Sequence, residues 1–250
     1  MLLLYDNLFA KTTIAGYAIS ASTSATGYPV ENIADWLDFD FWKANASGVS
    51  YVEVQFTSAQ SADTLALYGH DLFTNSASVK VKRYDSGAWT QVGATLTPTS
   101  DGLQVLQFTS ASDTRWRIEV TSTPASTIAI GFLGVALVLP AAQIGFSPPL
   151  VLSDDTTTNR AAGGSLLGVF GKPKSSDLRI SMELRTPAWI RSYWVPFMQH
   201  ARRRAFILCW DETTLGESWF CWCEKDLQNA EYTHPTFMKA ALNCKATDGL

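Results

Sequence analysis

Charge is scarce in this sequence. Only 17% of its 250 residues are Asp, Glu, Lys or Arg, and the formal net charge is −4. A general electrostatic grip on nucleic acid or anionic lipid needs a strongly basic face, so the composition argues against both as partners. Histidine is scarcer still: His70, His200 and His234 lie far apart, and none has a partner at metal-ligand spacing. The cysteines Cys209, Cys221, Cys223 and Cys244 are too few for a disulfide scaffold, and their C-x11-C-x-C-x20-C spacing is not that of a zinc knuckle. Cys221 and Cys223 flank Trp222 in a strand-like stretch, so both thiols are expected on one face, packed as small apolar groups in a reducing compartment. Long apolar runs are missing too. The longest, residues 128–139, has 12 residues, short of the ~20 that a spanning helix needs. Residues 1–5 are apolar but lack the basic flank of a secretory signal. The sequence therefore predicts no metal, no cofactor and no membrane insertion.

Aromatic and aliphatic mass is plentiful. Hydrophobic residues make up 46% of the chain, with 9 Trp, 8 Tyr and 13 Phe, which suffices for two domain cores. Residues 1–140 carry 7 Lys/Arg against 12 Asp/Glu, whereas residues 141–250 carry 12 against 11. The boundary is placed at Pro140, followed by Ser147-Pro148-Pro149, which suits a linker or a crossing strand.

The first part alternates apolar and polar residues with period two over 51–56, 64–68, 78–84 and 115–120, with a turn at Asp85-Ser86-Gly87. That pattern predicts an antiparallel sandwich, and the unbroken apolar run at 128–139 predicts a strand buried on both faces. Helical spacing is confined to residues 30–37. In the second part, residues 153–165 are polar and glycine-rich, which predicts a flexible stretch. Residues 177–185 alternate, with Leu178, Ile180, Met182 and Leu184 on one face. Thr186 and Pro187 suit the cap and first position of a helix, which Pro196 should kink or end. Strands follow at 205–210 and 218–223, joined by residues 211–217, and a last strand at 237–245. The fold class expected is mainly all-β: a sandwich and then a smaller β-rich domain with one helix.

Two segments resemble known families. Tyr28 to Asp35, Phe41-Trp42-Lys43-Ala44, the Val-Glu-Val-Gln-Phe strand, Asp85 to Val92 and Arg115-Trp116-Arg117-Ile118 resemble, in order and spacing, discoidin-like (galactose-binding-like) jelly rolls over residues 7–140. The run Trp194-Val195-Pro196-Phe197, then 205–211, then 219–223 is similar to small β hub domains in tail-tip and baseplate proteins of tailed bacteriophages, over residues 175–250. The resemblances imply a structural, non-enzymatic tail-tip or baseplate component in the virion, made in the host cytoplasm. Its implied partners are other tail proteins and further copies of itself in a ring, with a host-surface glycan as an additional partner of the jelly roll.

Candidate sites follow from residue chemistry. Trp36, Asp38, Phe39 and Asp40 combine aromatic faces with carboxylates, the pairing that a sugar site uses. The competing reading is that these aromatics plug the end of the sandwich. The jelly-roll resemblance puts the tryptophan matching Trp42 in the core, and it places Phe73 and Asn75 at the ligand end. Trp189, Tyr193 and Trp194 form an aromatic helix face suited to subunit contacts. Arg202-Arg203-Arg204 is the one basic cluster, suited either to a solvated helix end or to an acidic neighbouring subunit. No catalytic residues are expected: Gly163-Gly164-Ser165 lacks the second glycine of a nucleophile elbow, and Asp35, Asp38 and Asp40 share one loop instead of flanking a bond.

Overall fold

A computed structural model describes residues 1–139, 154–173, 176–224 and 229–247. Among the described residues the chain is mostly antiparallel β, with one α-helical segment and short 3-10 turns. Its first half is a β-sandwich of the jelly-roll type, built from β2 (Ala18–Ala21), β3 (Trp42–Lys43), β4 (Gly48–His70), β5 (Ser78–Asp85), β6 (Ala88–Leu96), β7 (Gln104–Ser122) and β8 (Thr127–Gly134). The segments predicted at 51–56 and 64–68 are halves of the single 23-residue strand β4. β4 and β7 pair along their whole length, with register shifts between Gln55 and Gln60 and between Ala62 and Thr64. β2 and β5 flank the first half of that ladder and β8 flanks the second, so the two long strands serve both layers. Between the layers lies a core of Val52, Val54, Leu65, Leu67, Trp116 and Ile118, among others. The predicted turn closes β5 onto β6 with Ser86 at φ 51° and Gly87 at φ 88°, the left-handed pair that a two-residue hairpin requires.

The second half forms one sheet, in the order β12 (Ser176–Arg185), β16 (Phe237–Thr247), β14 (Thr214–Trp222), β13 (Phe206–Asp211), β1 (Leu2–Leu4) and β9 (Leu137–Val138), with β15 (Glu231–His234) paired to β16. The first strand of the chain thus lies inside this sheet, with Leu3 opposite Leu208 on one side and Leu137 on the other. Alternation divides the sheet. Leu3, Phe206, Leu208, Cys221 and Leu242 face the helix, while Leu2, Leu4, Ile207, Cys209 and Phe220 face the sandwich. There they meet Ala66, Tyr68, Ala129, Ile130 and Phe132, and Tyr68 stacks on Phe220 at 4.5 Å and 12°. β8 is buried on both faces, as its apolar run predicts, because one face lines the sandwich core and the other lines this junction. Asn7 ties the strand exit to β8: its Nδ2 donates to the Gly131 carbonyl at 2.8 Å and its Oδ1 accepts from the Leu133 amide at 3.1 Å.

Several local expectations are revised. The stretch predicted to be flexible, 153–165, instead supplies strand β10 (Asp154–Arg160) and the turn of a hairpin whose second strand is β11 (Leu166–Pro173). The loop predicted at 211–217 tightens to Glu212-Thr213, because the strands extend to Asp211 and Thr214. Leu184 leaves the apolar face: it sits at φ 54° in a register shift of β12 and is 54% exposed. Thr186 caps the helix as predicted, accepting from the Trp189 amide. Pro196 does not end it. A π turn at Ile190–Trp194 lies between α1 (Pro187–Trp189) and α2 (Val195–Ala201) and ends two residues before Pro196, so the proline goes with an irregularity in the helix and not with its end. The proline-marked segment 140–149 lies outside the described residues.

The cysteines pack as expected. Cys209, Cys221 and Cys244 are buried, and Cys223 is half-buried. Among the described residues no helix is long and apolar enough to cross a membrane.

Candidate functional site

The residues predicted as sites fall into three places, and one of them is a cleft. It opens where the sandwich meets the second sheet, with a volume near 410 Å³. One wall is the loop Asp35 to Asp38. The other is Arg202, Arg203 and Arg204, with Phe220 and Trp222 of β14 and the following Cys223 between them.

Each wall is set by local chemistry. The 3-10 turn Val30–Ala34 ends at Asp35, whose carboxylate accepts from the Leu37 amide at 2.9 Å. Trp36 between them adopts φ 67°, a conformation that a bulky side chain holds only when its surroundings fix it. Burial does so here: its ring lies edge-on to His200 at 5.5 Å and tilted against Phe132 at 6.3 Å. Trp36 is therefore a junction residue whose ring faces are covered, which fits the plugging role weighed from the sequence and not an open stacking platform for a sugar. Its indole Nε1 is buried without an acceptor among the described residues. With Trp36 turned inward, Leu37, Asp38 and Phe39 are turned out, Phe39 being 75% exposed. Burial raises Asp35 above the usual carboxylate range, with Asp40 adding to the shift and the Leu37 amide opposing it.

On the facing wall α2 ends in a tight turn, in which the His200 carbonyl accepts from the amides of both Arg203 and Arg204 at 3.0 Å. The turn spreads three exposed guanidinium groups at the helix end before buried Ala205 leads into β13. None of the three makes an ion pair among the described residues. Cys223 is a poor nucleophile, since burial and the nearby Cys244 push its thiol up to about 12.

The other predicted residues stand apart from the cleft. Asp40 is half-buried, and one carboxylate oxygen has no partner among the described residues. Phe73 is 52% exposed on a loop held by Asp101, which accepts from the Phe73 amide at 2.8 Å and the Thr74 amide at 3.1 Å. Asn75 is buried, and its amide reaches the Ala125 carbonyl at 3.5 Å, so it braces loops instead of facing a ligand. Below them burial drives His70 under its ordinary range despite Asp101 at 4.0 Å, so this contact is not an ion pair at neutral pH. On the helix, Tyr193 is exposed and Trp189 half-buried, but Trp194 is sealed against Phe197 in the core, which removes it from the expected contact face. Sequence reading missed Trp222 and Cys223 as cleft residues. Their signal, an aromatic and a thiol at the end of an alternating strand, equals that of ordinary core.

No protein-family model and no curated protein matches the chain. Among solved structures, it is similar to chitosan-binding module 1 of a Paenibacillus sp. chitosanase/glucanase, at 21% identity and TM-score 0.42, over 52% of this chain and 98% of that one. A Clostridium perfringens CBM32 module in complex with GalNAc-β-1,3-galactose aligns at 10% identity and TM-score 0.41, over 47% of this chain and 94% of the module. A Ruminococcus gnavus GH29 fucosidase aligns at 17% identity and TM-score 0.44, over 52% of this chain and 27% of the enzyme. This chain thus spans about a quarter of that enzyme's length.

Proposed function

We propose that this chain is a non-catalytic carbohydrate-binding protein whose ligand occupies the junction cleft. The cleft's donor and acceptor set supports this reading. Asp38 and Asp35 accept from hydroxyls, the arginines donate, and Trp222 supplies an apolar face beside them, the combination that a polyhydroxylated ring needs. Turnover is not favoured by the same groups. Guanidinium stays protonated and cannot shuttle protons, the two carboxylates share one wall, and the Cys223 thiol is held protonated. Calorimetry of the full chain against a panel of bacterial surface polysaccharides tests the reading. Asp38→Ala is expected to lower affinity by about tenfold with unchanged melting temperature, and Trp222→Ala to lower it similarly with some loss of stability, because its ring also packs on the junction core. Undiminished binding in both variants would remove the cleft as the site, and release of reducing ends from a bound polymer would make the protein an enzyme.

A second reading, assembly into a phage tail tip or baseplate in the virion, is favoured by the β10–β11 hairpin. None of its described residues enters a hydrophobic cluster, yet Leu166, Leu167 and Val169 are exposed on it. Exposed Tyr193 on the helix would add to such a contact. Light scattering at micromolar concentration tests it: a ring of several copies supports assembly, and a monomer at all concentrations opposes it. The two readings are compatible, since the cleft and the hairpin share no residue.

A further inference from the structure

We propose that the cleft selects an acidic saccharide, one whose carboxylate sits against Arg202, Arg203 and Arg204 while its hydroxyls reach Asp38; this rests on the carbohydrate reading above. Arg202, Arg203 and Arg204 line the cleft together with Asp35 and Asp38, and among the described residues no ion pair joins the two sets. Opposite charges on facing walls would normally close on each other. Here the junction core holds them apart: Trp36, Phe132 and Phe220 fix the backbones of both walls. The gap, near 410 Å³, lies within the roughly 300–1,000 Å³ usual for small-ligand sites.

A neutral sugar would leave the guanidinium forks to water. A sugar carboxylate matches them, since planar N–H pairs and a planar carboxylate form parallel charge-assisted hydrogen bonds. The rest of the molecule opposes a merely electrostatic explanation. Net charge is −4, and this triplet is the one run of consecutive basic residues beyond Lys82-Arg83. Too few phosphates could be contacted for a general polyanion to bind well at physiological salt. Selection therefore falls on one acidic ring of the saccharide, seated inside the cleft, and not on the summed charge of the polymer.

The test uses the full chain and matched polymers: polygalacturonate, alginate and hyaluronan, each beside the same polymer after carboxyl reduction. Calorimetry should show at least one acidic polymer bound about tenfold or more tightly than its reduced partner, a preference that shrinks with added salt. Arg202→Gln, Arg203→Gln and Arg204→Gln are solvent-exposed changes that leave the fold intact. At least one should abolish the preference while keeping residual binding to the reduced polymer. Equal binding of both members, weakened alike by Asp38→Ala, would overturn acid selection and leave the carbohydrate reading standing. Failure to bind any polymer of either kind would overturn both. Equally tight binding of a single-stranded oligonucleotide, lost in the arginine variants, would show plain polyanion capture and overturn the selection of a sugar.

Discussion

At the scale of single residues, Trp36 and Phe39 show how little an aromatic side chain reveals about its role. They lie three positions apart in one loop, yet Trp36 is 4% exposed and Phe39 75%. Trp36→Ala is expected to destabilise the fold by about 3–5 kcal/mol, because it opens a cavity between both halves, whereas Phe39→Ala should stay within about 0.5 kcal/mol of the parent. Urea denaturation of the two variants distinguishes them, and equal effects would contradict the placement of both rings. Histidines provide a pH signature. Burial lowers the pKa of His70, with Asp101 and Asp71 opposing, and likewise that of His200, with the Ala205 carbonyl opposing. Both rings are neutral in the fold, so as pH falls below about 6.5 the unfolded chain takes up protons first and stability declines. The melting temperature should therefore drop between about pH 7 and pH 5, before ordinary carboxylates titrate, and His70→Asn with His200→Asn should flatten that slope. A flat parental profile would mean that the folded rings accept protons freely.

At the scale of elements, alternation was the most legible signal, and close packing decided where it failed. β12 keeps Leu178, Ile180 and Met182 inward, but the register shift after Met182 turns Leu184 out, and no local pattern announces a bulge. The helix cap at Thr186-Pro187 was readable because capping is a local hydrogen bond. The π turn before Pro196 was not, because an isolated chain would break at proline, and here Trp194 and Phe197 keep the segment docked on the sheet. The first strand and turn of the β10–β11 hairpin were read as loop from their threonines, serine and glycines. A lone hairpin is marginal in water, so replacing residues 157–169 by a short glycine-serine linker should leave the melting temperature of a monomer unchanged. If the hairpin mediates assembly, the same variant should lose the oligomer seen by light scattering, and an oligomer that survives would assign assembly to another surface.

At the scale of the whole molecule, the junction makes one cooperative body of two sheets. Leu2, Leu4, Ile207, Cys209 and Phe220 bury one face of the second sheet on Ala66, Tyr68, Ile130 and Phe132 of the sandwich. The two halves are expected to unfold together, with near-ultraviolet circular dichroism and hydrogen exchange in both reporting one midpoint. Phe132→Ala, about 3–5 kcal/mol destabilising, should lower that midpoint in both halves, and two separated transitions would contradict a shared core. Charge, aromatic content and period-two patterning were enough to establish a mainly β chain, its sandwich, its single capped helix and its packed thiols, because these rest on short-range stereochemistry and on how much apolar surface must leave water. Only the tertiary structure decided that the first strand completes the last sheet, that Trp36 and Trp194 face inward, and that Asp38 stands across a cleft from Arg202–Arg204. Those residues are separated by over 160 positions, and what brings them together is apolar burial at the junction, to which neither the loop nor the arginine triplet bears any mark in its own sequence.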